Sequence, residues 1–310
     1  MKKILAISLL FITNSSTLLF SAASQKINIT FATCAEKGNR RPTMEDRHHN
    51  DTNNQFFGIY DGHGGSEVAE KTKQELHEHI LRLEATLSTE QALEQGFLAM
   101  HESIENQHEG TTATVAMLRN KTLYVANAGD SRAVLCAGGQ ALQMSVDHNP
   151  GLPSEKERIE KLSSIKISTH PSRIKTPFLI TANQQKEIYL ESSRILGLAV
   201  SRALGDRFHE GFVIPNPAIH TRKIDGTEEF LIIACDGLWD VVSNQAAVDL
   251  TKQQLSQGYS VEQCANFLVK KALDLLDHDN VTVTIICFNH DDKTEPSALD
   301  LLQEYSSQII

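Results

Sequence analysis

The sequence predicts an α+β fold in which helices cover the faces of antiparallel sheets. Two observations lead to this prediction. Short runs of β-branched and apolar residues come in blocks separated by hairpin-type turns, and helical patterns come in pairs between those blocks. This order is typical of antiparallel sheets with helices on their faces, rather than of alternating β–α–β units. An apolar fraction of 40% in 310 residues is enough for one large core.

The first elements are predicted to be two strands followed by two helices. Ile27, Ile29 and Phe31 alternate with polar neighbours, as in a half-buried strand, and residues 56–60 form a short apolar strand. Apolar residues at helical spacing predict a helix over residues 66–83. A capping box, Ser-x-x-Gln at residues 88–91, then opens the second helix.

The rest of the chain is predicted to be mostly strands, with helices inserted between them. Hairpin turns are expected at residues 120–121 (NK) and 138–139 (GG). Pro153 opens a short helix, with a capping box at residues 154–157, and no element is predicted for residues 163–195, which lack periodicity. The remaining predicted strands are residues 111–118, 122–126, 133–136, 141–144, 229–234 and 281–288, and the remaining helices are residues 245–254 and one that begins at Ser260.

The charge and the cysteines exclude several classes of function. The formal net charge is 29 − 39 = −10, so the chain has no electrostatic footprint for nucleic acid or anionic lipid. The five cysteines contain no Cys-x-x-Cys pair and are odd in number, so we interpret them as small buried hydrophobes rather than as disulfides or zinc ligands. We expect a monomer.

The N-terminal residues 1–23 have the pattern of a secretory signal peptide. Lys2 and Lys3 precede an apolar stretch over residues 4–12, and small residues stand at Ser21 and Ala23. We therefore expect export, with cleavage after Ala23. The alternatives are a cytoplasmic protein whose N-terminus packs on the core as a helix or strand, and a membrane anchor. The polar residues 14–17 argue against a membrane-spanning helix, so no stable membrane insertion of the mature chain is expected. Residues 24–290 are expected to form one domain, followed by an acidic, mobile tail over residues 291–310.

Aspartates recur in short motifs beside strand-like runs along the whole chain. The motifs are residues 41–46 (RPTMED), 60–65 (YDGHGG), 129–132 (GDSR), 235–240 (CDGLWD) and 279–280 (DN). Packing of the strands could bring these carboxylates to one rim, where they would suit Mg²⁺ or Mn²⁺. A single aspartate in such a place is more often a turn or a helix cap.

The order and wording of these motifs resemble the metal-dependent protein serine/threonine phosphatases of the PP2C (PPM) family. Residues 110–113 (GTTA), 123–130 (LYVANAGD) and 198–206 (LAVSRALGD) extend the resemblance, which covers about residues 27–290. It implies a four-layer α/β/β/α sandwich of two antiparallel sheets flanked by helices, with the metal site at one end. It also implies Mg²⁺ or Mn²⁺ as cofactor, in two ions with a possible third, and phosphorylated proteins as substrates.

The resemblance also implies a role for each acidic residue. Asp61 would bridge two ions that activate a water, and the Gly62 carbonyl would add a ligand. Asp236 and Asp279 would be ligands of the deeper ion. Glu45 and Asp46 would act through metal-bound water, and Asp130 and Asp240 would be ligands of a third ion.

Arg41 and His63 are the candidate catalytic residues besides Asp61. A guanidinium matches two phosphate oxygens, so Arg41 would clamp the phosphate, although an arginine in isolation is more often a surface residue. His63 would be the general acid that protonates the serine or threonine oxygen as it leaves. Its alternative role is to orient Asp61 or a water. Ser201, Arg202 and Asp206 are interpreted mainly as architecture beneath the site.

The chain departs from the family pattern after residue 159. Residues 163–166 (SSIK) replace a usual Gly-Gly turn, and the path to Leu198 is long, in the region that forms the family's flap. Two alternatives to an active protein phosphatase stay open. One is a catalytically silent binding module with the same fold, whose expected signature, a missing metal aspartate, is absent here. The other is a metal phosphoesterase that acts on small phosphate esters, which the unusual flap region leaves open.

Overall fold

The computed structural model describes residues 27–106, 108–162, 168–180, 185–275 and 279–289, and only the backbone of 168–180 and 185–193. The predicted signal peptide and the predicted tail lie outside the described residues. In chain order, the strands are β1 (Asn28–Glu36), β2 (Arg47–Asp51), β3 (Phe56–Tyr60), β4 (Gly62–His63), β5 (Gly110–Thr111), β6 (Ala113–Arg119), β7 (Thr122–Ala128), β8 (Arg132–Ala137), β9 (Gln140–Gln143), β10 (Ser168–Ile180), β11 (Gln185–Arg194), β12 (Leu204–Gly205), β13 (Ala218–Lys223), β14 (Glu228–Ala234) and β15 (Val281–Asn289). The helices are α1 (Glu67–Leu83), α2 (Thr89–Ser103), α3 (Pro153–Leu162), α4 (Asp236–Trp239), α5 (Asn244–Ser256) and α6 (Val261–Leu275), with a 3₁₀ turn at Arg207–His209.

Two five-stranded antiparallel sheets form the centre of the molecule. The first sheet has the strand order β1-β15-β14-β8-β9, and the second has the order β13-β7-β6-β3-β2. A small three-stranded sheet, β12-β5-β4, extends the second sheet at the end where β3 finishes. The predicted α+β class is therefore confirmed.

The side chains of the two sheets sort into three layers of core. Phe57, Ile59, Leu231 and Ile233 point between the sheets, where they form one buried cluster. On the outer face of the second sheet, the alternate residues of β3 pack with α1 and α2. On the outer face of the first sheet, the alternate residues of β14 pack with α5 and α6. The predicted four-layer α/β/β/α sandwich is confirmed, and burial on both faces explains why these strands are continuous apolar runs.

The turns and helix starts follow the local sequence closely, with two corrections. Asn120 and Lys121 have φ of 49° and 61°, and Gly138 and Gly139 have φ of 56° and 76°, as two-residue hairpins require. The capping box that opens α2 is present as predicted. The capping box predicted at residues 154–157 is wrong, because α3 begins at Pro153 and its first hydrogen bond runs from Lys156 N to the carbonyl of residue 152.

The second correction is a break in the strand predicted over residues 111–118. Thr112 separates β5 from β6, because its backbone N donates to the Asp61 carbonyl oxygen at 2.9 Å instead of continuing a ladder. The interruption lets β5 pair with β4 and β12 while β6 stays in the large sheet. A local break in a strand at this position brings Thr112 directly to the candidate site.

Sequence reasoning missed the strands with polar surfaces. β2 and β13 are the two edges of the second sheet, and each of their residues is half-buried or exposed. Edge strands bury little apolar area, so they lack the pattern by which strands are recognised. Residues 163–195, for which no element was predicted, contain a pair of antiparallel strands, β10 and β11, whose register shifts twice.

A buried ion-pair network ties α3 to the segment that precedes β13. The Glu155 side chain is 1% exposed, and its carboxylate accepts hydrogen bonds from Arg202 at 2.6 Å and from Arg158 at 2.8 Å. Burial opposes ionisation of Glu155, but the two guanidiniums outweigh it and lower its pKa to about 2. This network supports the interpretation of Arg202 as architecture.

Candidate metal centre and active site

The ends of neighbouring strands place the aspartate motifs together. β14 pairs antiparallel with both β8 and β15, so the end of β14 lies beside the starts of the other two strands. Asp236 follows β14, Asp130 precedes β8 and Asp279 precedes β15. In the facing sheet, Asp61 follows the end of β3. All four carboxylates therefore lie at one end of the sandwich.

The central acidic group consists of Asp61, Asp130 and Asp236. Each offers a carboxylate oxygen, and these atoms all lie within 4.8 Å of one another. A second group, Asp46, Asp61 and Cys235, satisfies the same distance. Carboxylate oxygens packed this closely suit a hard divalent cation such as Mg²⁺ or Mn²⁺. Asp61 belongs to both groups, so its carboxylate lies where the two groups meet.

Several aspartates of the site have raised pKa values, so their carboxylates are harder to ionise than exposed ones. Burial, followed by repulsion from neighbouring carboxylates, raises the pKa of Asp61 and of Asp236 well above the ordinary value. The same causes raise the pKa of Asp130 to about 6 and that of Asp240 to about 7. Bound cations reverse this effect, because they favour the ionised carboxylates.

Asp46 gives a further sign that the site fits a cation. Its side chain is 3% exposed, and Oδ2 accepts a hydrogen bond from the Thr282 hydroxyl at 2.7 Å. Its other oxygen, Oδ1, is buried with no hydrogen-bond partner among the described residues. A buried carboxylate oxygen without a donor is costly, and an ion or ion-bound water would satisfy it. The donor set and this atom together fit a divalent metal.

Arg41 lies at the edge of the acidic residues. Its guanidinium donates to Asp279 Oδ2 at 2.6 Å, and its side chain remains 41% exposed. Burial alone would lower the pKa of Arg41, but the hydrogen bond and charge of Asp279 outweigh it and raise that pKa. A fully ionised guanidinium therefore faces solvent from within the acidic site.

Asn280 fastens the segment that carries Arg41 and Glu45 to the start of β15. Its Oδ1 accepts from Glu45 N at 2.8 Å, and its Nδ2 donates to the Thr43 carbonyl at 3.2 Å. The backbone of residues 279–280 is also closely approached by two glycines. A Cβ on Gly237 would lie 2.1 Å from the Asn280 carbonyl oxygen, and one on Gly38 would lie 2.2 Å from that of residue 279. Gly237, which follows Asp236, is therefore required for close packing against the start of β15.

Asp61 and Gly62 are fixed by the strand break at Thr112. Asp61 N donates to Thr112 Oγ1 at 3.2 Å, and that hydroxyl also bonds the Ser131 hydroxyl at 2.8 Å. The Asp61 backbone is therefore connected to the loop that carries Asp130. A Cβ on Gly62 would lie 2.7 Å from the carbonyl oxygen of Glu45, so the glycine allows the first two motifs to touch.

His63 forms a hydrogen-bonded pair with Asp206. The His63 Nε2 and Asp206 Oδ2 atoms are 2.7 Å apart, and the Asp206 side chain is 1% exposed. Burial of the ring would lower the pKa of His63, but the hydrogen bond and charge of Asp206 outweigh it and raise that pKa. The protonated form of His63 is therefore favoured.

Gly110 makes room for this pair. A Cβ at Gly110 would lie 2.2 Å from Asp206 Oδ2 and 2.4 Å from His63 Nε2, so only glycine permits the contact. Asp206 has φ of 52°, and its backbone N donates to the Glu109 carbonyl at 2.9 Å. Three separate segments of the chain thus converge on the histidine.

The structure thus brings the predicted site residues to one end of the sandwich. Sequence reasoning placed Asp206 only in the architecture and did not foresee its bond to His63. It also missed Thr282 as the partner of Asp46, and the Cys235 thiol as a neighbour of Asp61. No local sequence signal indicates these contacts, because each joins residues that are far apart in the chain.

Comparisons with known proteins agree with this geometry. The family model for protein phosphatase 2C matches residues 30–281. A rice protein named probable protein phosphatase 2C 45 is 38% identical over 242 residues, which are 76% of this chain and 77% of that protein. The Arabidopsis thaliana protein named probable protein phosphatase 2C 59 is 36% identical over 244 residues, covering 76% of this chain and 70% of that protein.

Solved structures with the same fold are also found. A sex-determining protein of Caenorhabditis elegans aligns with a TM-score of 0.69 at 23% identity, over 84% of this chain and 65% of that one. A serine-threonine phosphatase 2C from Toxoplasma gondii aligns with a TM-score of 0.65 at 21% identity, over 84% of this chain and 95% of that one. At these identities the likeness establishes the fold.

The repulsion within the acidic group predicts that removing one carboxylate stabilises the metal-free protein. In EDTA, Asp236→Asn should raise the melting temperature by about 2 °C or more, because the remaining buried carboxylates lose a like-charged neighbour. Asp249→Asn, on the exposed face of α5, is the matched control and should leave the melting temperature unchanged. A lower melting temperature for Asp236→Asn than for the wild type in EDTA would contradict this reading of the site.

Proposed function

The chain belongs to the protein phosphatase 2C family and is a metal-dependent protein serine/threonine phosphatase, and we propose that its acidic group binds two Mg²⁺ or Mn²⁺ ions. Its substrates are proteins that carry phosphoserine or phosphothreonine. The observation that carries the proposal is the convergence of Asp61, Asp130 and Asp236 within 4.8 Å at the end of the sandwich. When bound, the ions lower the pKa of a water and neutralise charge on the phosphate.

The metal ligands we propose are those that the family resemblance assigns. Asp61 and the Gly62 carbonyl would hold the ions together with Asp236 and Asp279. Glu45 and Asp46 would act through bound water, and the unpartnered Oδ1 of Asp46 supports that role. Asp130 and Asp240 would hold a third ion, whose positive charge would offset the burial and the carboxylate repulsion that raise their pKa values.

Arg41 would hold the phosphate of the substrate. Its guanidinium presents paired donors that match two phosphate oxygens, and it is half-exposed beside Asp279. The ion pair with Asp279 supports the role, because it aims the guanidinium along the edge of the proposed metal ligands. A substrate phosphate would then lie between the arginine and the acidic residues.

His63 would supply the proton that the leaving serine or threonine oxygen needs. The Asp206 carboxylate, 2.7 Å from Nε2, favours the imidazolium and so keeps a proton on the ring. This contact supports the general-acid role over the alternative of orienting Asp61. Each metal aspartate of the family pattern is present, which argues against a silent binding module. The similarity to protein phosphatases favours protein substrates over small esters.

The proposed function is tested by metal-dependent turnover of a phosphothreonine peptide. The wild type should be active with Mn²⁺ or Mg²⁺ and inactive in EDTA, and Asp61→Asn should lose at least about 100-fold in kcat with the fold retained, because a bridging ligand is lost. Asp249→Asn again serves as the control and should keep wild-type kcat. Turnover that survives EDTA, or full activity of Asp61→Asn, would sink the proposal.

The His63–Asp206 contact is tested through Gly110. Gly110→Ala should reduce kcat about 100-fold, since its Cβ separates the two side chains that hold the catalytic proton. Asp206→Asn should show a similar loss, and the double variant should lose no more than the larger single effect, since both act on one contact. Gly138→Asn is the control, because no atom lies within 4 Å of an added Cβ and asparagine tolerates the φ of 56° at this hairpin position. Wild-type kcat in Gly110→Ala would rule out the role of the contact.

We further propose that the protein is exported by residues 1–23. The support is the sequence pattern of Lys2, Lys3, the apolar residues 4–12 and the small residues at 21 and 23. Among the described residues, no helix has the length and apolarity needed to span a bilayer. N-terminal sequencing of the protein from its native producer should begin at Ser24. Recovery of the intact N-terminus would refute export by this route.

A further inference from the structure

An aromatic pair stands exposed beside the candidate active site. Phe208 is 63% exposed, more than any other large apolar side chain among the described residues. Its ring packs against the ring of His108, with centroids 4.6 Å apart at an interplanar angle of 46°. We name these two side chains the aromatic rim. Neither residue belongs to the metal ligands or to the proposed catalytic pair.

The aromatic rim lies next to His63 and Asp206 along both chain segments. His108 precedes by two residues Gly110, whose Cα borders the His63–Asp206 contact. The His108 carbonyl oxygen lies 2.9 Å from the position that a Cβ on Gly64 would take, so the His108 backbone packs against the residue that follows His63. Phe208 follows Asp206 by two residues, which limits their Cα separation to about 8 Å.

The segment that carries Phe208 is fixed by hydrogen bonds of its neighbour Arg207 to residues at the end of α2. Arg207 Nε donates to the Ile104 carbonyl at 3.3 Å, and its Nη1 is 3.4 Å from His101 Nε2. The backbone N of His209 donates to the carbonyl of Asp206 at 2.8 Å, which closes the 3₁₀ turn. Phe208 is therefore exposed on a fixed turn. Preorganised apolar area of this kind binds a partner with little loss of conformational entropy.

We propose that the aromatic rim binds an apolar side chain of the phosphoprotein substrate, a few residues from the phosphoserine or phosphothreonine. This inference rests on the proposed function, because the substrate chain must pass His63 to bring its phosphoester to the acidic residues. The leaving oxygen would lie at His63, which bonds Asp206, and Phe208 is within about 8 Å of Asp206 by Cα. Because an extended peptide advances about 3.3 Å per residue, a side chain two or three positions from the phosphorylated residue spans that distance. An aliphatic or aromatic side chain there would cover the exposed face of Phe208.

The test compares two phosphothreonine peptides with the full chain in Mn²⁺. One peptide carries Leu at the second and third positions on both sides of the phosphothreonine, and the other carries Ser at those positions. The measured quantity is the ratio of their kcat/KM values, which cancels any general loss of activity. The variants are Phe208→Ala, Phe208→Leu as the conservative substitution, and Tyr259→Ala as the control. Tyr259 is also exposed, at 45%, but lies in the connection between α5 and α6.

We expect the wild type to prefer the Leu peptide by about tenfold, mainly through KM, and Phe208→Ala to reduce that preference to about twofold or less. Phe208→Leu should retain most of it, and Tyr259→Ala all of it. Equal efficiency on both peptides in the wild type, or an unchanged ratio in Phe208→Ala, would overturn this inference and leave the phosphatase activity standing. Absence of turnover of both peptides by the wild type would overturn the proposed function, and this inference with it.

Discussion

The repulsion among carboxylates gathered at one end of the sandwich is the constraint on which the rest of the site depends. Asp61, Asp130 and Asp236 lie within 4.8 Å of one another, with Asp46, Asp240 and Asp279 beside them. Burial and mutual repulsion raise the pKa values of Asp61, Asp130, Asp236 and Asp240, so the acidic end is a local cost to stability. The two large sheets offset that cost, because their central strands are buried on both faces. The rigid core thus holds the carboxylates close enough together to bind a cation.

The organisation of the strands explains how distant motifs meet. Antiparallel pairing of β14 with β8 and β15 places three acidic loops side by side, and the facing β3 contributes a fourth. Glycines at residues 38, 62, 110 and 237 then let backbones and side chains approach to distances that a Cβ would forbid. The glycine beside each catalytic group is therefore part of the site, although it offers no reactive side chain.

Much of the fold and of the site could be predicted from sequence, and the failures share a physical cause. The central strands, such as residues 229–234, are recognisable in the sequence as continuous apolar runs. The hairpin turns are recognisable by residues suited to positive φ. The edge strands β2 and β13 carry polar residues because they bury little, so pattern reading missed them. In the site, the aspartates were found by their motifs, whereas the bond of Asp206 to His63 depends on tertiary contact. No local pattern encodes a contact across 143 residues.

The central claim is that this fold holds an acidic group that divalent cations complete. Its most direct test is the free energy of unfolding of the wild-type protein as a function of free Mn²⁺. Above the dissociation constants, each bound ion should add about 1.4 kcal/mol for every tenfold rise in free Mn²⁺, so two ions should give a slope of about 2.7 kcal/mol. A stability that does not change with Mn²⁺ would contradict the account.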